Sequence, residues 1–451
     1  MKNLKSVSHW KSWRRCSLLL VSLLVWSLAL SAPGTAWARI FIDINAPSVQ
    51  KLRIAIPPFE RRSADTEDPG FGEKLADVAA NDLELSGYFV SIEKEAFLPG
   101  SLKDVAGDRI RFKDWSVIGA ELLLTCSYSS IGQSLELEVR LYDVFRGRSV
   151  YTKRLLGKQA EHRALVHRLS NEILYLVTGQ KGMFLSRLAY VNRAKGKKEL
   201  NKEIFLCDVD GHNPRQITFD ESISLLPRWS PRGDKLLYVS FRDGGPMLFL
   251  KDLATGVDRR ISARTGLNTG ASWAPNGESV ALTLSHGDNP DVYTIDTNGN
   301  ILNRVTRHWG IDVSPSFSPD GRKIAFVSNR SGSPQIYVQD LESGSESRLT
   351  FEGKYNTSPA WSVQNRIAFS GMHDGRIDIF TIQEDGTGLR NLTEGQGKNE
   401  DPCWSPDGQY LAFTSNRTGS YHLYLMTAGG QNQRRITFHN GEQTSPSWSP
   451  F

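Results

Sequence analysis

Two sets of polar side chains recur at one spacing through the C-terminal part of the chain. Arg193, Arg242, His286, Arg330, His373 and Arg417 form the first set, and Ser224, Asn268, Asp312, Asn356, Asn399 and Gln443 the second. These groups suit recognition: a guanidinium fork matches a carboxylate, and a carboxamide both donates and accepts. They can satisfy carbonyls and carboxylates of adjacent loops, or they can receive an acidic or polar loop of a partner. The two uses are compatible. Catalysis is not suggested. Neither Gly-x-Ser-x-Gly nor His-Glu-x-x-His occurs, and spacing nominates no nucleophile, acid or base. Asp208-Val209-Asp210-Gly211 imitates part of a calcium loop. The same slot holds Asp252-Leu253-Ala254-Thr255-Gly256 and Asp296-Thr297-Asn298-Gly299, so hairpin turns are expected and no metal site. No catalytic residue, cofactor or metal is therefore expected.

The elements that must carry these residues follow from a repeated phrase. An aromatic residue followed by a Ser-Pro-Asp-Gly-like turn stands at Trp229, Trp273, Phe317, Trp361, Trp404 and Trp448, at steps of 44, 44, 44, 43 and 44 residues. That period matches a propeller blade of four strands. After each turn comes an apolar strand such as Ile324-Ala325-Phe326-Val327, then a third strand such as Ile336-Tyr337-Val338. An outer strand ends the unit, as at Leu349-Thr350. The first unit begins at Leu188 with no aromatic phrase before it, and the strand around Trp448 has no unit after it. The strand of Trp448 is expected to complete the first blade, closing a six-bladed ring and removing an open sheet edge. Strand order then places both polar sets in loops on one face, at the mouth of the central channel.

The first 38 residues read differently. Lys2, Lys5, Lys11, Arg14 and Arg15 precede the apolar run Cys16–Leu30, and Ala36-Trp37-Ala38 has the form of a signal-peptidase site. A cleaved signal over residues 1–38 is expected, with no membrane span in the mature chain. Those five basic residues supply the whole net charge of +5, so the mature chain is balanced and gives no sign of nucleic-acid binding. Cys126, Cys207 and Cys403 match no zinc spacing and are expected to be buried small hydrophobes.

Residues 39–180 lack the repeat. Leu52–Ile56 alternates as a strand, Phe71 to Leu83 has helical spacing, and Gly87 stands where a left-handed cap belongs. Phe89-Val90 continues as a strand and Phe112 to Ile118 as a short helix. Glu121–Ser127, Leu135–Val144 and Ser149–Leu155 read as strands, and Leu165 to Val177 as a closing helix stopped by Gly179. The expectation is an α+β N-terminal domain at 39–180, followed by an all-β six-bladed β-propeller at 181–451 closed by the C-terminal strand. Arg39-Ile40-Phe41-Ile42-Asp43-Ile44-Asn45 is either the first strand of that domain or a free segment that adds to a partner's sheet edge.

The segment Ser318 to Arg330, Ser-Pro-Asp-Gly-x-x-Ile-Ala-Phe-x-Ser-Asn-Arg, resembles the repeats of the TolB family, β-propeller proteins of the Tol–Pal envelope system. Asp114-Trp115, Leu141-Tyr142-Asp143-Val144 and Thr178-Gly179-Gln180-Lys181-Gly182 are similar to that family's N-terminal segments, in the same order. Trp361-Ser362-Val363-Gln364, Ala274 and Phe317 depart from the repeat pattern. The resemblance implies a periplasmic, monomeric, non-catalytic scaffold that supports outer-membrane integrity and envelope constriction at division. It implies binding of the lipoprotein Pal through the propeller face, where the two polar sets lie, and of TolA through Arg39 to Asn45. A secreted propeller hydrolase or a carbohydrate-binding propeller is the alternative.

Overall fold

Along Ser134–Asp143 every second side chain is buried, the mark of a strand with one face on a core. The computed structural model containing it describes residues 50–64, 68–106, 109–194, 201–285 and 289–451. The signal segment, Arg39 to Asn45 and His286 lie outside the described residues.

The N-terminal region is built on one mixed sheet. Its strands are β1 (Leu52–Ala55), β2 (Glu60–Ala64), β3 (Phe89–Ser91), β4 (Leu122–Ile131), β5 (Ser134–Asp143) and β6 (Arg148–Lys158). Their order is β3-β1-β4-β5-β6, with β2 also on β4. The first links are parallel and the last two antiparallel. Helices α1 (Phe71–Leu85), α2 (Pro99–Ala106), α3 (Phe112–Val117) and α4 (His162–Thr178) accompany the sheet. Leu75, Val78, Ala79 and Leu83 of α1 and Leu165, Leu169, Ile173 and Val177 of α4 are buried, the apolar stripes read from sequence. Gly179 ends α4 in the left-handed conformation, with its N–H on the Tyr175 carbonyl. Strand β2 and helix α2 are additions to the expected elements.

The repeats fold into six four-stranded sheets. The inner strands are Ser224–Trp229, Asn268–Trp273, Asp312–Phe317, Tyr355–Trp361, Asn399–Trp404 and Glu442–Trp448. In five sheets the four strands follow in sequence. In the sixth, Glu442–Trp448 pairs antiparallel with Arg187–Arg193, Trp448 facing Leu188. The ring is thus closed by the last strand, as expected.

Each blade grips its neighbour through the aromatic phrase. The indole N–H of Trp273 donates to the Arg228 carbonyl at 3.3 Å, and that of Trp404 to the Ala360 carbonyl at 2.9 Å. Backbone N–H groups of Trp229, Phe317 and Trp361 donate to Ser447, Ser272 and Ser316 of the preceding blade. The threonine after the outer strand has a role too. Thr218, Thr306, Thr350, Thr393 and Thr437 accept the N–H of Ile204, Val292, Ile336, Ile379 and Leu423, replacing a ladder bond where the strand has ended.

Three residues before each aromatic the backbone turns left-handed. Leu226, Gly270, Ser314, Ser358, Asp401 and Ser445 have φ between 52° and 62°. A register shift marks a bulge at that point in every inner strand. The bulge turns an N–H toward the previous blade: Ser314 donates to Thr283, Asp401 to Ser370 and Ser445 to Thr414.

Candidate partner-binding face

Inner strands run from one face of the ring to the Ser-Pro-Asp-Gly turns on the other, so the two faces differ in chemistry. The turn face carries the N-terminal region. Asn432 donates to the carbonyls of Glu84 and Leu85 at 3.0 and 3.1 Å, capping the C-terminus of α1. Arg434 pairs with Glu84 at 2.8 Å, and the Tyr410 hydroxyl donates to the Ser86 carbonyl at 3.1 Å. Beneath these, His167 of α4 holds Asp82 of α1 at 2.8 Å, and Arg163 pairs with Asp210 from the first blade. Burial alone would lower the His167 pKa. The bond to Asp82 and the charges of Asp82 and Asp210 outweigh it and raise it.

The opposite face holds the two polar sets, and the structure brings most of them into contact. Arg330 donates to Asp312 at 2.8 Å and to Ser328, and it pairs with Glu346 on the outer strand. Arg417 reaches Asn399 at 3.0 Å and Gln433 at 2.7 Å, and Arg242 reaches Asp220 at 2.9 Å and Asp258 at 3.4 Å. Arg193 pairs with Glu442 at 2.7 Å. The guanidinium groups also lie over rings, Arg242 on Phe249 at 3.9 Å and Arg417 on Tyr424 at 4.7 Å. His373 instead stacks on Phe380 at 4.3 Å. Arg242, Arg330 and Arg417 therefore each span their own blade, from the entry of the inner strand to the outer strand or the turn before it.

The second set works between blades. Asn356 donates to Gln335 at 2.8 Å and Asn399 to Asp378 at 3.0 Å, both acceptors belonging to the preceding blade. Gln443 meets His422 at 2.7 Å and donates to Asn192 at 2.9 Å. Asn268 accepts from Ser262 at 2.6 Å, and Ser224 donates to Asp220 at 2.9 Å. Ser224, Asn268, Asp312, Asn356, Asn399 and Gln443 are all fully buried. Burial pushes the Asp312 carboxyl up, more than Ser328 and Arg330 pull it down. It also raises Asp220, but hydrogen bonds from Ser240, Arg242 and Ser224 outweigh it and leave that pKa lowered.

A third ring was not read from the sequence: Glu203, Asp291, Gln335 and His422, each opening a third strand, and Asp378, two residues into its own. Thr218, Thr306, Thr350 and Thr393 bond to the first four. Its signal was present, the same slot being polar in five of six repeats, the exception being Met247. Outside this girdle stand apolar side chains on the loops that enter the inner strands. Trp309 is 70% and Phe351 71% exposed; Phe219, Ile311 and Phe438 are exposed in the corresponding loops, and Tyr355 at the start of its inner strand. These are exposed apolar groups of that face; the amides beneath hold the loops that carry them.

A profile of the TolB beta propeller domain matches residues 175–451, and one of the TolB amino-terminal domain matches residues 40–150. The Tol-Pal system protein TolB of Desulfosudis oleivorans is 40% identical over 235 residues, covering 51% of this chain and 52% of the relative. That of Syntrophotalea carbinolica is 40% identical over 218 residues, covering 48% and 49%. The match thus spans about half the length of these curated relatives. The crystal structure of TolB from Acinetobacter baumannii superposes with a TM-score of 0.77 at 28% identity, covering 89% of this chain and 97% of that one.

Proposed function

The chain belongs to the TolB family, and from that premise we propose that it is a periplasmic, non-catalytic adaptor of the Tol–Pal envelope system. Its propeller face opposite the N-terminal region docks the peptidoglycan-associated lipoprotein Pal. Its segment Arg39 to Asn45 engages TolA, supporting outer-membrane integrity and constriction at division. Export by a cleaved signal over residues 1–38 and two domains, 39–180 and 181–451, belong to the same reading.

One observation carries the choice of face. The turn face is occupied by α1 and its contacts with Asn432, Arg434 and Tyr410. The opposite face presents exposed Trp309, Phe351 and Tyr355 over a fixed polar girdle. Exposed aromatics on a rigid base are what interface anchors are made of. Arg193, Arg242, Arg330, His373 and Arg417 act in this reading as struts that also shape the field at the mouth. Asn268, Asp312, Asn356, Asn399 and Gln443 act through the loops they hold.

The test is co-purification from a Gram-negative envelope extract with the mature chain as bait. Pal and TolA are expected in the eluate, and removal of residues 39–45 is expected to lose TolA and keep Pal. Absence of Pal, or retention of TolA after the deletion, contradicts the assignment.

A further inference from the structure

The residue before each aromatic faces the channel, and five of the six are small: Ser272, Ser316, Ala360, Cys403 and Ser447. The sixth is Arg228. It reaches into a cavity of about 220 Å³ that these residues line together with Asp401 and Trp361. Of the five N–H donors of a guanidinium, one is accounted for among the described residues, given to the carbonyl of Pro227 at 2.8 Å. No carboxylate of the described residues forms a salt bridge with it. Asp401 is near enough to act on its charge, but the carboxylate oxygens of Asp401 are already capped by the hydroxyls of Ser358 at 3.1 Å and Ser445 at 2.8 Å.

The serine hydroxyls add to this. Ser272, Ser316 and Ser447 each accept a backbone N–H from the next blade. Each hydroxyl hydrogen is therefore left to donate. Trp361 carries a buried indole N–H with no acceptor. The Cys403 thiol is held protonated by burial, its pKa pushed up to about 12, so it adds no negative charge. A cavity with one cation, several free donors and one capped carboxylate has unmet demand for a negative acceptor.

We propose that the central channel holds a small carboxylate on Arg228, with the hydroxyls of Ser272, Ser316 and Ser447 as further donors. A carboxylate answers the planar fork of a guanidinium with two parallel hydrogen bonds. The site lies inside the ring, away from the rim aromatics; only the assignment of the carboxylate to a docked partner rests on the adaptor reading. The carboxylate belongs either to a dissolved small acid or to an acidic side chain inserted by the docked partner.

The experiment is isothermal titration of the full mature chain with acetate and with succinate, each balanced against sodium chloride at constant ionic strength. Saturable binding of at least one acid is expected, with a Kd of about 1 mM or tighter. Arg228→Gln should abolish it and Arg228→Lys should weaken it about tenfold, a lysine offering a point charge without the fork. Asp401→Asn should tighten it by removing the like charge. Thermal melts confirm that each variant is folded, and Arg228→Lys decides the matter if Arg228→Gln does not fold. Displacement of the bound partner by the acid assigns the carboxylate to that partner; binding without displacement assigns it to a free solute. No saturable binding of either acid combined with unchanged partner affinity in Arg228→Lys overturns the proposal, as does equal binding by wild type and Arg228→Lys.

Discussion

Asn356 shows what a buried amide contributes in this ring. Its Nδ2 donates to Gln335 of the preceding blade and to the Glu352 carbonyl, both at 2.8 Å. Removing it strands a buried acceptor, at a cost of about 1–3 kcal/mol. Asn356→Ala is accordingly expected to lower the unfolding free energy by about that amount in urea. An unchanged midpoint and slope would show that the inter-blade bond carries no weight. Gly270 makes a second case. It adopts φ +62° where five other blades place side-chain-bearing residues, and an added Cβ would meet Ser314 backbone at 3.3 Å. Gly270→Ala should cost about 1–2 kcal/mol, whereas Ser314→Gly should not destabilise by a comparable amount. Equal losses would place the strain elsewhere. The identities of these residues were legible in the sequence; their burial was not. Periodicity fixes the position of an Asn at 268, 356 and 399 but says nothing about whether water reaches it. The left-handed ring escaped for a related reason: Leu226, Ser314, Ser358, Asp401 and Ser445 carry no glycine signal.

The contact between α1, α4 and the first blade is a charge cluster with a pH dependence. His167 faces Asp82 of α1, Asp210 of the blade turn and, as the like charge, Arg163 of its own helix; His162 is also within electrostatic reach. The folded-state pKa of His167 is raised above the ordinary imidazole value of about 6.5. Its stabilisation is thus fully present below that value and is lost as pH rises through the folded pKa. The melting-temperature gap between wild type and His167→Gln should be widest near pH 6 and shrink toward pH 9. A gap that widens with pH would reverse the assigned sign. Helix α1 was read correctly from its apolar spacing, but its cap was not. Asn432 lies in a turn of the sixth blade, some 350 residues away in sequence, and no local pattern links the two. Strand β2 was missed because Pro57-Pro58 ends the preceding strand and Glu60-Arg61-Arg62 lacks an apolar alternation.

The whole ring depends on one seam. Glu442–Trp448 joins a sheet whose other strands lie at 187–216. Trp448 adds an indole bond to Ser186 at 2.7 Å, while the indole N–H of Trp361 has no acceptor. Trp448→Ala should therefore melt lower than Trp361→Ala, by about 1 kcal/mol or more of stability beyond the shared cavity cost. Identical melting points would remove the special role of the closing strand. The closure was legible because the aromatic repeat is one phase out at its two ends. The exposed rim was legible only in part: Phe351 recurs as Phe219 and Phe438 after the outer-strand threonine, whereas Trp309 occupies a loop slot that other repeats fill with Glu, Thr, Gly, Gln or Asn. Under the proposed function this rim, and not the turn face, receives the lipoprotein. The most direct measurement is the affinity of the soluble Pal domain for three forms of the mature chain: wild type, Trp309→Ala with Phe351→Ala, and Glu84→Ala on the turn face. A loss of about tenfold or more is expected for the rim double variant and no change for Glu84→Ala. Unchanged affinity in the rim variant, with loss in Glu84→Ala, would contradict it.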